Sequence, residues 1–153
     1  MTKTNYLSVL ISTVICFLLG AFYYTIFGAE LSNYSTSVVE QQEVFPSMVV
    51  ELIRCFILSV VLVILVNITN SNNWKEGFKL GILLWLGFPL VLWMGAIAHE
   101  NTPIMLAIIH SGDWLLKLIV LTVILSFRNH KKINRYYGNV QNSNTSSRKG
   151  KNK

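Results

Sequence analysis

Residues 104–127 read IMLAIIHSGDWLLKLIVLTVILSF, a 24-residue stretch in which only Asp113 and Lys117 carry a full charge. As a helix it would extend about 36 Å, enough to cross a hydrocarbon layer about 30 Å thick. Apolar and polar residues do not alternate along it, which excludes a barrel strand. Three more runs of similar length and character occupy 6–27, 46–67 and 78–98. Composition points the same way: 52% of the 153 residues are hydrophobic, 13% are charged and the mean hydropathy is +0.49. A soluble domain uses about 25% charged residues to cover its surface. The expected fold class is therefore all-α: a polytopic membrane protein with four transmembrane helices in 1–127 and a basic tail over 128–153.

Charge sets the expected orientation. Of the 13 Lys and Arg residues, Arg54 and Lys117 lie deep within spans and Lys79 at the very start of the third. Apart from Arg54 and Lys117, the basic residues (Lys3, Lys75, Lys79 and those from Arg128 onward) fall on one side when both termini share it. The opposite loops hold Glu30, Glu40, Glu43 and Glu100 and no Lys or Arg. The positive-inside rule then puts both termini in the cytoplasm. The tail carries most of the net charge of +6 and has almost no apolar residues after Gly138. It is expected to be disordered and to meet anionic lipid headgroups, not nucleic acid. The first run is longer than a signal-peptide core and no A-x-A-like site follows it, so it is expected to remain as a helix. The sequons at Asn33, Asn67 and Asn144 are chance-level matches in an Asn-rich chain.

Two stripes of small residues predict close helix packing: Ser12, Cys16 and Gly20 in the first span, and Gly77 with Gly81 at the start of the third. They suit contacts within one bundle or the seam of a homodimer. Pro46 and Pro103 fit helix starts. Pro89 lies inside the third span and predicts a kink near Trp85 unless a neighbour satisfies the freed carbonyl. Tyr6, Tyr23, Tyr24, Trp74 and Tyr136 sit near span ends, as interface anchors do. Cys16 and Cys55 are single residues on different spans, which gives no redox or zinc framework.

The candidate site is an intramembrane polar constellation. His110, Asp113 and Lys117 share a face of the fourth span, and Glu51 and Arg54 share one of the second. Measured from Pro46, Glu51 lies about 8 Å deep and Arg54 about 12 Å. Asp113 lies about 14 Å below Ile104, so a direct Arg54–Asp113 pair is geometrically open. Charged groups at such depth face the bundle interior and pair. They would relay protons or bind a cation or polar solute. Alternatively, Glu51–Arg54 and Asp113–Lys117 are pairs that specify helix register, with Lys117 snorkelling toward the cytoplasmic interface. The histidines His99 and His110 lack the three or four converging ligands zinc requires. His110-Ser111-Gly112-Asp113 has neither hydrolase geometry nor a nucleophile elbow. No metal, cofactor or enzymatic activity is expected.

Three segments, LLGAFYYTIFG (18–28), GILLWLGFPLVL (81–92) and AIIHSGDWLLKLIVLTVIL (107–125), resemble in order the small bacterial integral membrane proteins of the "domain of unknown function 1761" family. The chain departs from that pattern at Tyr23-Tyr24, where Trp-Tyr is expected, and in the more charged HSGDW. The resemblance implies a four-helix protein of a bacterial plasma (inner) membrane and supplies no activity. Two functions are therefore carried forward. One is a small transport or channel-like protein, with a homodimer as candidate partner because so short a chain does not surround a pathway alone. The other is a non-catalytic envelope or accessory protein whose charges are structural pairs.

Overall fold

The computed structural model describes the backbone of residues 6–34 and 44–150, with side chains over 6–31 and 46–128. All described regular structure is helical: α1 (Tyr6–Tyr34), α2 (Val44–Ile68), α3 (Trp74–Trp85), a π turn (Leu86–Leu90), α4 (Val91–His99) and α5 (Ile104–Gly150). Four stretches are long and apolar enough to cross a membrane: Tyr6–Leu31, Pro46–Ile68, Trp74–His99 and Ile104–Arg128. The third comprises α3, the π turn and α4 without a break.

Local chemistry sets the boundaries. Asn73 caps α3, accepting from Glu76 N at 3.0 Å, while the Glu76 carboxylate accepts from Asn73 Nδ2 at 2.9 Å and Asn72 N at 2.7 Å. This reciprocal capping box starts the helix at Trp74, four residues before the apolar run itself. Asn70 (φ 50°) and Asn101 (φ 54°) take the left-handed conformation that ends helices, so both short turns reverse the chain tightly. Pro89 does not break its helix. The chain widens into the π turn directly after Trp85, a local way to house a residue that has no N–H and crowds the preceding turn.

At the other end, α5 does not stop near Phe127. The disorder expected from residue 128 is absent from the described backbone, which stays helical to Gly150; residues 151–153 lie outside the described part. Extending an existing helix costs far less than nucleating a new one, and 128–150 contains no proline.

Consecutive spans run antiparallel, and α5 packs against every other helix. The small-residue stripes lie in these contacts. A Cβ on Gly77 would stand 2.7 Å from Thr122 O, and one on Gly81 would stand 2.9 Å from Ile119 Cα, so α3 meets the α5 backbone directly. Ser12 and Cys16 are fully buried on α1. The burial pattern is that of a chain dissolved in lipid: Leu10, Phe22, Phe88 and Leu92 point outward, while Ser12, Ser59, Asp113, Lys117, Thr122 and Ser126 are buried. Where lipid is as apolar as leucine, close packing and polar contacts hold helices together, and apolar burial contributes little.

Candidate functional site

Glu51, Arg54, Asp113 and Lys117 meet between α2 and α5. Lys117 Nζ donates to Asp113 Oδ2 at 2.8 Å and to Glu51 Oε1 at 2.9 Å. Arg54 Nη1 donates to Glu51 Oε2 at 2.8 Å. The cross-helix link is thus Lys117–Glu51, and the Arg54–Asp113 pair left open by the depth argument does not form. The reason is side-chain direction. Helical side chains lean toward the N-terminus of their own helix, so Lys117 reaches back up α5 past Asp113, while Arg54 leans up α2 toward Glu51.

Lys117 does not snorkel either: its side chain is only 4% exposed. Gly20 makes room for it, since a Cβ there would lie 2.8 Å from Lys117 Nζ. The first small-residue stripe therefore fits α1 around the ammonium group. Asp113 is buried with Lys117, and among the described residues its second oxygen, Oδ1, has no hydrogen-bond partner. Beside the cluster is a cavity of about 10 Å³, lined by Cys16, Cys55, Trp114 and the charged residues of α2. That is room for about one water molecule.

His110 faces elsewhere. Its Nδ1 is hydrogen-bonded to Tyr24 Oη at 2.8 Å, with the donor set by the histidine tautomer. Trp93 stacks on the imidazole, with ring centroids 5.0 Å apart and planes 6° from parallel. Tyr23 Oη donates to Ile109 O at 2.9 Å, and a Cβ on Gly112 would stand 2.5 Å from that hydroxyl. Trp85 Nε1 donates to both Ser111 O (2.9 Å) and Ser111 Oγ (3.1 Å). The segment Ile109–Gly112 therefore ties the first and third spans to α5, while the second span is joined to α5 one turn further on, through Glu51 and Lys117.

These contacts change the reading of two residues and add three. Tyr23 and Tyr24, read from the sequence as interface anchors, use their hydroxyls for inter-helix hydrogen bonds. Trp85, Trp93 and Ser111 were not among the candidates. Their signal was available in part: a tryptophan in mid-span must place its N–H on an acceptor, and α5 supplies one at the same depth. Trp93 Nε1 itself is buried without a partner among the described residues. Tyr136 lies among the residues whose side chains are not described.

The buried polar groups continue past Lys117 toward the opposite end of the bundle. Ser12, Ser59 and Ser126 are buried, and their hydroxyls have no hydrogen-bond partner among the described residues. Among the described residues, no three His, Cys, Asp or Glu side chains converge as a metal site.

A family model described as Protein of unknown function (DUF1761) matches residues 7–126. No curated protein and no solved structure matches the chain.

Proposed function

We propose, for a chain that belongs to the DUF1761 family of proteins of unknown function, that this is a small membrane transport protein whose polar interior moves protons. The observation that carries the reading is Asp113: one carboxylate oxygen is held by Lys117, and the other is buried with no partner among the described residues. Such a carboxylate can take and release a proton at Oδ1 without giving up its bond to the ammonium group. Intramembrane acids and histidines in this setting are the usual parts of proton relays.

Two groups of residues extend the path. His110 and Tyr24 lie toward the end where α5 begins, one turn from Asp113. The buried hydroxyls of Ser12, Ser59 and Ser126 lie toward the other end. The water-sized cavity at the cluster favours a proton over a larger solute. We place both termini in the cytoplasm of a bacterium, because the basic residues outside the spans gather on one side. The basic end of α5 would then lie against anionic headgroups. A second copy in the membrane would complete the walls of the pathway. The reading needs no cofactor, catalytic residue or nucleic-acid partner.

The alternative, an accessory protein with structural charges, is favoured by one observation. Glu51, Arg54, Asp113 and Lys117 sum to zero charge, and each is ion-paired. Proton uptake by vesicles under an imposed pH difference distinguishes the two. Transport predicts uptake well above that of protein-free vesicles, reduced severalfold by Tyr24→Phe. Uptake equal to that of empty vesicles overturns the transport reading and leaves the structural one.

A further inference from the structure

A second feature lies outside the buried cluster. Between α2 and the α3–α4 span, a groove of about 680 Å³ runs down the face of α5. Its walls include Leu58 and Leu65 from α2, Leu84 and Phe88 from the third span, and Trp114 and Leu118 from α5. The volume is that of a small-molecule site. Gly87 and Pro89 of the π turn also line it, and a Cβ on Gly87 would meet nothing within 4 Å, so the glycine leaves the groove open. π turns often mark functional positions in helices.

The groove is apolar, but its upper end is not. Leu58 and Trp114 line both the groove and the small cavity above it, to which Arg54 also belongs. Arg54 lies one turn above Leu58 on α2. Its guanidinium stands 5.5 Å from the centre of the Trp114 ring, and its side chain is 51% exposed. Among the described residues its one hydrogen bond goes to Glu51 Oε2, and Glu51 is shared with Lys117. A guanidinium has five N–H donors and stays charged in a protein. Half-exposed at mid-span, with most donors open, it calls for an acceptor that lipid tails do not supply.

We propose that the groove binds a single-chain amphiphile with an anionic head of the fatty-acid type, the carboxylate on Arg54 and the chain along Leu58 to Leu65. That stretch of α2, from Arg54 to Leu65, spans about 17 Å. A carboxylate matches the open guanidinium fork, and Trp114 holds that fork in place from behind. The inference is independent of proton movement, and its test measures binding alone.

The test uses a long-chain fatty acid carrying a photoreactive group in its tail, added to the full-length protein in zwitterionic nanodiscs. Unlabelled palmitate and its methyl ester serve as competitors. The expected result is saturable labelling of the α2 and π-turn walls, displaced by palmitate at least tenfold more effectively than by the methyl ester. Gly87→Trp should abolish the labelling by filling the groove. Arg54→Gln should weaken it at least tenfold, with Arg54→Lys between Gln and wild type. Equal competition by acid and ester overturns the proposal, even if Arg54→Gln does not fold, because it marks the groove as an ordinary lipid-facing surface. Labelling spread evenly over the outer helix faces overturns it too. So does loss of labelling that tracks a change from dimer to monomer in Gly87→Trp, which would identify the occupant as a second copy.

Discussion

Replacing Lys117 with methionine tests how the buried charges are held. Methionine keeps most of the side-chain volume and removes the ammonium. Two bonds disappear, at 2.8 Å to Asp113 and 2.9 Å to Glu51. The consequences for the two acids differ. Glu51 keeps Arg54 and is 25% exposed, so its loss is small. Asp113 is buried and has no second ion pair among the described residues, so it becomes an uncompensated charge. Breaking one side of a buried pair costs about 3–5 kcal/mol. At about 2–4 °C per kcal/mol for a chain of this size, the midpoint of thermal unfolding should fall by roughly 6–20 °C. The double variant Asp113→Leu with Lys117→Met removes both charges at similar volume, and such replacements are often neutral or stabilising. It should return to within about 1 kcal/mol of the parent. Thermal unfolding in mild detergent, followed by gel filtration, reads all three proteins. A single variant as stable as the parent would refute the burial argument. A double variant as unstable as the single would show that the loss comes from packing and not from an orphaned charge.

The remaining predictions concern packing and local structure. Gly81→Val should separate α3 from α5 and cost about 1–3 kcal/mol or more, because its Cβ meets the α5 backbone; Gly87→Ala, facing open space in a helical turn, should instead stabilise by up to about 1 kcal/mol. Trp85→Phe removes the donor to Ser111 and should cost about 1 kcal/mol, read from the same melts. Asn73→Ala removes the α3 cap and should cost about 1 kcal/mol, with faster amide hydrogen exchange confined to the first turn of α3.

The spans were readable because long, predominantly apolar runs have few other structural solutions, and the capping signal Asn73-Trp-Lys-Glu76 marks the start of the third helix. The small-residue stripes were readable as contacts, though only the structure shows that Gly20 accommodates the Lys117 ammonium. The charge cluster was half readable. Depth along each helix brought Arg54 and Asp113 to similar levels, with Glu51 near that of His110, but depth refers to the backbone. Lys117 starts lower and leans upward by several ångströms, which decides the pairing in its favour. Tyr23 and Tyr24 illustrate the same limit: a tyrosine near a span end satisfies its hydroxyl equally well with headgroups or with a neighbouring helix, and sequence position does not separate these. The groove depends on α2 and the third span both packing on α5 while standing apart from each other, and no local pattern encodes that gap. The continuation of α5 beyond Phe127 follows from helix propagation, which a reading based on hydrophobicity does not include.

The central claim is that Asp113 moves protons and does not merely pair with Lys117. The most direct measurement is the proton flux per folded protein in vesicles containing wild type or Asp113→Asn, with the unfolding midpoint taken on the same preparations. Asparagine keeps the shape and removes the titrating oxygen, while Glu51 still holds Lys117. The account predicts a flux lost by tenfold or more in a protein that remains folded. Undiminished flux in the folded variant, or no flux in wild type, would contradict it.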